Sequence, residues 1–412
     1  MSASRHNTHP RLRAVETIFV PHETFGRALM LRDGEGIAPA PLAIRGDLSS
    51  VVLNMDGTRS IEALVQHAKL MGGQTIDTNL VRQLVADLDA GFFLDTPRFL
   101  ERRRDVVAAF KARSERAAQH AGSAYHGDAR ALRRFIEDDC LARATKVSRR
   151  GRMVGLCAPH MDLWRAAVGY GHAYAALAEA LPDEVETIFV LGTSHMPMRQ
   201  PFAICDKPFA TPLGAMSPDR EAITWLAKHS RFDVKEDEYL HKGEHSLEFQ
   251  VVFLRHLVGP RPVRIVPILC GLGRVVSTGM DPEADAPTES FVSALGELIA
   301  RRGSRGFVVM GADLAHVGPR FGDPKPFDAA QRAALAKRDH DSITHMREVD
   351  ARGFYEHVRE DLDTRRVCGL APIYTALRAL PRTARGHELH YAQCVDPGEG
   401  SIVSHASIAF YE

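Results

Sequence analysis

Three short apolar runs of this sequence each lead to a histidine. The histidines are His160, His195 and His316, and Asp313 stands three residues before the last of them. Imidazole and carboxylate side chains bind transition metal ions, and they also move protons as general acids and bases. A single histidine at the end of a strand is usually a packed or solvated residue. These residues therefore indicate a site only if the fold brings them together.

The elements that would position these histidines have the pattern of buried parallel strands. The runs at 153–156, 187–191 and 307–311 are short, rich in β-branched residues and bounded by Gly or Pro, and helical patterns separate them. In an open α/β sheet, ligands bind beyond the carboxyl ends of the strands. The sequence therefore predicts an α/β fold with a mainly parallel central sheet flanked by helices, and a single crevice for the histidines.

A second candidate group precedes an apolar helical pattern. Glu244 and His245 come just before the segment 247–254, whose spacing predicts a buried helix. At a helix N-terminus the backbone N–H groups favour an anion and lower the pKa of a neighbouring imidazole. A neutral imidazole is the form that a metal ligand or a general base requires. We therefore predict His245, His316 and Asp313 as the catalytic residues.

The composition argues against several classes of function. Lys plus Arg and Asp plus Glu both number 52, which gives no electrostatic case for a nucleic acid or membrane partner. The six cysteines form no C-x-x-C pair, which argues against a zinc knuckle or a disulfide framework and favours a reducing compartment. Residues 1–13 have no signal-peptide core, and no apolar run has transmembrane length. We expect a cytoplasmic location.

The length of 412 residues exceeds the size at which one core usually stops growing, so we expect two domains. Strand patterns at 16–20 and 28–33, then helical patterns and a closing strand at 91–94, predict a small winged-helix-like α+β domain. Its candidate recognition face mixes acidic residues with few basic ones, which argues against DNA binding. The predicted segments are a polar leader at 1–14, the winged-helix-like domain at 15–97, a charged linker helix at 98–115 and the α/β domain at 116–412.

Six motifs of the second domain resemble the Memo family, in the order and at spacings similar to those of the family. Bacterial and archaeal members are called AmmeMemoRadiSam system protein B. The resemblance covers about residues 115–412 and implies a fold similar to the class III extradiol dioxygenases, with a radical-SAM protein and an AMMECR-type protein as partners. The motifs are Arg116-Ala117 with His120-Ala121-Gly122, Ala158-Pro159-His160, Gly192-x-Ser194-His195, Glu244-His245-Ser246, Asp313-x-x-His316 and Cys368-Gly369 with Pro372-Ile373.

The resemblance also implies a metal site, which in the human member of the family uses two His and one Cys. The two His fall on His160 and His195, whereas the Cys falls on Ala315, which cannot bind a metal. The expected cofactor is a divalent transition metal ion, iron or copper rather than zinc. Three residues remain as candidates for the third ligand: His316, Asp313 and His245. Of these, we predict His316.

Cys157 is the nearest thiol in sequence to the first histidine, three residues before it. Side chains alternate along a strand, so the thiol of Cys157 is directed differently from its neighbours. We therefore predict a buried structural cysteine rather than a ligand.

Two functions of different classes are compatible with these residues. The first is a metal-dependent, dioxygenase-like oxidoreductase in which the histidines bind the ion and move protons. The second is a non-catalytic scaffold whose crevice binds a peptide or a partner. For the second, the segments 56–62 and 88–93 resemble the PqqD-like modules, which bind a partner peptide along a sheet edge. A peptide ligand of the first domain is therefore a further expectation.

Overall fold

The computed structural model describes residues 8–72, 75–145, 150–360 and 362–412. The chain divides into two compact units, Met1–Arg113 and Ser114–Glu412, and a separate hydrophobic core lies in each. Residues 1–7 of the predicted polar leader lie outside the described residues. No helix within the described ranges is long and apolar enough to cross a membrane.

Among its described residues, the first unit has a three-stranded antiparallel sheet followed by four α-helices. Ser60 caps the second of these helices, because its side chain accepts a hydrogen bond from the backbone N–H of Ala63. The strands, in their order in the sheet, are β1 (Glu16–His22), β2 (Gly26–Arg32) and β3 (Leu42–Arg45), and the helices are α1 (Ser49–Leu53), α2 (Ile61–Leu70), α3 (Thr78–Ala90) and α4 (Pro97–Ala112).

Two features of the first unit differ from the sequence prediction. The closing strand at 91–94 does not form, because Phe92 has a φ of 63°, and a left-handed residue interrupts an extended run. Only a single bridge between Leu94 and Leu12 remains there. The charged helix predicted as a linker is α4 of the first unit, where Phe99 and Phe110 are buried.

The second unit is built on an eight-stranded sheet with the order β10-β11-β4-β8-β5-β7-β6, and β9 pairs with β11. Strands β4, β8, β5 and β7 are mutually parallel, and β6, β10 and β11 run antiparallel to their neighbours. The predicted mainly parallel central sheet is therefore confirmed. The bounds are β4 (Met153–Ala158), β5 (Thr187–Thr193), β6 (Phe202–Ile204), β7 (Arg264–Cys270), β8 (Gly306–Gly311), β9 (His316–Val317), β10 (Arg385–Val395) and β11 (Ile402–Tyr411).

Nine α-helices of the described chain flank this sheet. The first of them, Ala129–Arg134, is short, and one π-helical turn, Phe135–Cys140, continues it. The bounds are α5 (Ala129–Arg134), α6 (Ala167–Ala180), α7 (Arg220–His229), α8 (His245–Val258), α9 (Gly273–Thr278), α10 (Ala286–Arg302), α11 (Ala329–Glu348), α12 (Ala351–Arg359) and α13 (Leu370–Ala379).

Candidate metal centre

Three adjacent parallel strands bring the predicted residues to one edge of the sheet. Strand β8 lies between β4 and β5, and each strand is followed, two residues beyond its end, by a polar side chain: His160 after β4, His195 after β5 and Asp313 after β8. Because the carboxyl ends of parallel strands share one edge, the ring centroids of His160 and His195 lie only 5.1 Å apart.

Two glycines allow helix α8 to approach these strand ends closely. A Cβ atom at Gly192 would lie 2.5 Å from Oγ of Ser246, and one at Gly311 would lie 2.5 Å from the backbone O of Ser246. Any larger residue would push the N-terminus of the helix away from the sheet. The glycines therefore place Glu244 and His245, at the start of α8, beside the strand ends.

The ring of His160 is fixed by the strand that neighbours its own. Its Nδ1 lies 3.0 Å from the carbonyl oxygen of Gly311, so Nδ1–H donates to that oxygen and the lone pair is on Nε2. The backbone N–H of His160 donates to Oδ1 of Asp313 at 3.0 Å. Burial lowers the pKa of His160 below its usual value. The imidazole is therefore neutral, as metal binding requires.

The ring of His195 is fixed by Glu244. Its Nδ1 lies 3.0 and 3.1 Å from the two carboxylate oxygens, so Nδ1–H donates to the carboxylate and the lone pair is on Nε2. Glu244 also caps α8, because it accepts hydrogen bonds from the backbone N–H groups of His245 and Ser246. Burial alone would raise the pKa of Glu244, but His195 and His245 hold it well below its usual value.

Cys368 completes a group of three with the two histidines. Its Sγ lies 3.2 Å from Nε2 of His160, and one donor atom from each of His160, His195 and Cys368 lies within 4.8 Å of the others. The loop before α13 is held in place by Thr193, whose Oγ1 donates to the carbonyl oxygen of Cys368 at 2.9 Å. Sequence reasoning cited this cysteine only as part of a motif.

His316, the predicted third ligand, does not belong to this group. Its Nδ1–H donates to the carbonyl oxygen of Leu314 at 3.2 Å, and its ring packs edge-on against Phe321. Burial lowers its pKa to about 4. Ala315, onto which the family cysteine had been placed, is buried in a small apolar cluster with Val317. The donor atoms that lie together with those of His160 and His195 therefore include Sγ of Cys368 and not a nitrogen of His316.

His245 and Asp313, the other two residues predicted to be catalytic, lie next to the candidate ligands. The ring of His245 stacks on that of His195 with 4.6 Å between centroids, and His195, Glu244 and His245 form a second group of candidate ligands. Burial lowers the pKa of His245 well below its usual value. The carboxylate of Asp313 is buried, with Oδ2 3.7 Å from Nε2 of His160.

The donor set of His160, His195 and Cys368 fits a transition metal ion. Imidazole and thiolate are the ligands that copper, zinc and iron take in proteins. Burial, reinforced by Asp313, raises the pKa of Cys368 well above its usual value. The thiol is therefore protonated in the metal-free protein, and a metal that binds it has to displace that proton. Cys157 is buried in the main core and is not one of the grouped donor residues.

A buried ion pair supports the segment that leads into α8. Arg116 pairs with Glu248, and both side chains are fully buried. The guanidinium also donates to the backbone oxygens of His241 and Glu244 at 2.8 and 2.7 Å, and the hydroxyl of Tyr125 donates to Glu248. These contacts fix the backbone of Glu244, and through its carboxylate they fix the ring of His195.

Comparison with known proteins identifies the family of this chain. Residues 116–409, well over half of the chain, match the family described as Memo-like protein. The chain belongs to the Memo-like family. His160, His195 and Cys368 all lie inside the matched range, whereas the first unit lies outside it.

Curated relatives of this Memo-like protein occur in bacteria and animals. A MEMO1 family protein of Aquifex aeolicus is 28% identical over 395 residues, which is 95% of this chain and 98% of the relative. That alignment is longer than the family match, so it includes the first unit. A MEMO1 family protein of Thermus thermophilus is 29% identical over 65% of this chain and 74% of its own. A memo-1 homologue of Caenorhabditis elegans is 27% identical over 71% of this chain and 81% of its own.

Proposed function

We propose that this Memo-like protein is a metal-dependent oxidoreductase that binds one iron or copper ion through His160, His195 and Cys368. The observation that supports this proposal is the convergence of two imidazoles and one thiol from three separate parts of the chain, with one donor atom of each within 4.8 Å of the others. A set of two His and one Cys suits copper and iron, and it leaves coordination positions of the ion open for a further ligand. The bound ion would supply Lewis acidity and electron transfer to a dioxygenase-like reaction.

The residues of the chain around this ion have separable roles in the proposal. Glu244 and the carbonyl of Gly311 fix the tautomers of His195 and His160, so that both Nε2 atoms present lone pairs. His245, neutral and stacked on His195, is placed to take a proton from a substrate. Asp313 fixes the backbone of His160 and keeps a negative charge near the thiol. His316 is not needed for metal binding.

Metal content tests this proposal directly. Purified protein is reconstituted with Fe(II) or Cu(II), freed of unbound metal and analysed for all first-row transition elements. We expect about one equivalent in the wild type and a loss in His160→Ala and His195→Ala. His316→Ala is the matched control and keeps its metal. Less than about a tenth of an equivalent in the wild type would refute the proposal, and retention in His160→Ala would refute the assigned ligands.

The family resemblance also implies partners for this chemistry, and we propose that the protein acts together with a radical-SAM protein and an AMMECR-type protein.

An alternative role as a non-catalytic scaffold is supported by the first unit. Strand β1 is an edge strand, and Phe19 on it and Phe25 beside it are 37% and 40% exposed. A partner peptide could add to such an edge and cover these rings.

Binding measured by size-exclusion chromatography tests recruitment through the edge strand of the first unit. The full chain is mixed with the radical-SAM protein of the same organism, and the double variant Phe19→Ala, Phe25→Ala is compared with the wild type. Co-elution that is lost in the double variant supports recruitment through the first unit. Co-elution that is unchanged would remove this edge as the docking site, whatever the metal content.

A further inference from the structure

The side chain of Asp339, on helix α11, is fully buried and binds three other side chains. Its Oδ1 accepts a hydrogen bond from Nη1 of Arg365 at 2.8 Å. Its Oδ2 accepts from the hydroxyl groups of Ser404 and Tyr391 at 2.6 and 2.9 Å. The three donors come from the loop before α13 and from strands β11 and β10. One carboxylate therefore joins four separate parts of the chain.

The first of these contacts lies in the loop that carries Cys368, three residues before it. Arg365 is itself buried, and its Nη2 donates to Oγ of Ser342, which is also on α11, at 3.0 Å. Its backbone oxygen accepts from the backbone N–H of His316 at 2.7 Å. The guanidinium of Arg365 thus ties the loop to α11, and the backbone of the same residue ties it to strand β9.

The second contact leads to the segment that carries Asp313. The hydroxyl of Ser404 donates to Asp339, and its Oγ accepts from the backbone N–H of Ala315 at 2.9 Å. The backbone N–H of Ser404 donates to the carbonyl oxygen of Ala315, also at 2.9 Å. Two residues earlier in the chain, Oδ1 of Asp313 accepts from the backbone N–H of His160 at 3.0 Å. The carboxylate of Asp339 is therefore linked through this segment to the backbone of a candidate ligand.

The loop between α12 and α13 has an unfavourable backbone. Leu362, Asp363 and Arg366 have φ values of 58°, 53° and 53°, in the left-handed region that residues other than glycine rarely adopt. Residues in such conformations persist only when the surrounding structure holds them. Arg365 lies among these three residues, so its ion pair with Asp339 opposes relaxation of the loop.

We propose that Asp339 is a positioning residue of the candidate metal centre, which acts through Arg365 and Ser404 to hold the thiol of Cys368 beside His160. This inference rests on the proposed function and deepens it, because it identifies what sets the spacing of two ligands of the same site. An amide in place of the carboxylate loses the charge and one acceptor oxygen. The strained loop then relaxes, and the thiol moves away from the imidazole.

Alkylation of the metal-free protein with iodoacetamide, followed by mass spectrometry of each cysteine-containing peptide, tests the inference. Asp339→Asn is compared with Asp341→Asn, a matched control on the same helix whose carboxylate forms a partly exposed ion pair. We expect Cys368 to react about threefold faster or more in Asp339→Asn, because the freed loop opens more often, and at the wild-type rate in Asp341→Asn. The buried Cys157 and Cys270 report opening of the whole unit and are expected to stay unreactive in both variants.

Bound Co(II) provides a second readout, because its sulfur-to-metal charge-transfer band reports a thiolate ligand. The band per bound Co(II) is expected to fall to about half or less in Asp339→Asn, as for a change in a residue that orients a ligand. Asp341→Asn is expected to keep the wild-type band. A loss of stability alone does not change the band per bound ion, so this readout separates positioning from general support of the fold.

A second variant covers the case in which Asp339→Asn does not fold. Ser404→Ala removes one of the two links and leaves the buried ion pair intact, and it is expected to speed the alkylation of Cys368 about twofold or more. Ser407→Ala is its control, since Ser407 is a buried serine of the same strand whose hydroxyl donates to the backbone oxygen of Gly169 at 2.7 Å. This control is expected to react at the wild-type rate.

Three outcomes overturn the inference: a Cys368 rate in the folded variant equal to that in its control, a rise that Cys157 and Cys270 share, or an unchanged Co(II) band. A shared rise would mean that the whole unit opens rather than the loop. Because the alkylation uses metal-free protein, a wild type that binds no metal refutes the proposed function and leaves the comparison of rates intact. Equal rates, in turn, leave the metal-content result unaffected.

Discussion

The sulfur of Cys368 lies 3.2 Å from Nε2 of His160, although the two residues are 208 positions apart in the chain. His160 arrives at the end of a strand, and Cys368 arrives in the loop before helix α13. Two donor atoms this close, one buried and one partly exposed, are arranged as neighbouring ligands of one ion. This contact with His160 distinguishes Cys368 from the other cysteines of the protein.

Cys368→Ser should therefore remove the spectroscopic signature of a thiolate ligand. Copper(II) or cobalt(II) bound to the wild type should give a sulfur-to-metal charge-transfer band, and the serine variant should lose the band together with at least tenfold in affinity. Cys394→Ser is the matched control, since Cys394 is partly exposed on β10 and donates to the backbone oxygen of Arg165. A band that persists in Cys368→Ser would show that this sulfur is not a ligand.

The strands and the two histidines could be predicted from the sequence, because a buried parallel strand is a continuous apolar run and its end is marked in the sequence. His160 and His195 each stand two residues beyond the end of such a strand. Their proximity then follows from the parallel sheet alone. The Memo resemblance added the expectation of a metal site, which stays a prediction until metal is measured.

The position of Cys368 could not be predicted in the same way. The long helix α11 that precedes this region has little apolar periodicity in the sequence. The place of Cys368 depends on tertiary hydrogen bonds from Thr193 and to the backbone of Asp313. Nothing in the flanking residues encodes those contacts. The left-handed conformation of Phe92, which replaces a predicted strand, is another local feature that propensity does not reveal.

Glu244→Gln should weaken metal binding without abolishing it. The carboxylate orients His195 by accepting from Nδ1–H, and an amide keeps one acceptor oxygen but loses the charge that makes the imidazole a better ligand. Substitutions of such supporting residues typically cost about 10–100-fold in metal affinity. Competition with a chromogenic chelator measures the change. Glu356→Gln, which alters an exposed pair with Arg352, should leave the affinity as in the wild type, and equal losses in both variants would contradict the role of Glu244.

Glu248→Gln should destabilise the second unit strongly. It leaves the buried guanidinium of Arg116 without its counter-ion, and breaking a buried pair in this way costs about 3–5 kcal/mol in the free energy of unfolding. Trp164 and Trp225 both lie in the second unit, so tryptophan fluorescence in a urea titration reports its unfolding. Glu297→Gln removes an exposed pair with Arg301 and should change the free energy by less than about 1 kcal/mol. Similar values for the two variants would contradict the buried-pair argument.

Acid should destabilise the second unit through a row of three histidines between α6 and the strands β10 and β11. The rings of His172 and His390 are stacked at 4.8 Å, and the ring of His405 lies 5.9 Å from that of His390. Burial, with the nearby His405 and His172, lowers the pKa of His390 to about 4. Between the usual histidine pKa of about 6.5 and that value, the unfolded chain binds a proton that the folded chain does not. Stability is therefore lost as the pH falls through this window.

His390→Phe should make the melting temperature less sensitive to pH between 7 and 4.5. The phenyl ring keeps the stacking surface and removes one of the groups that must stay neutral in the folded state. His229→Gln, on the exposed end of α7, is the control and should follow the wild-type profile. Melting curves recorded by tryptophan fluorescence at intervals of half a pH unit measure this pH dependence. If His390→Phe loses stability towards acid as steeply as the wild type, the acid sensitivity arises from other groups, because the proton taken up by His390 on unfolding has been removed.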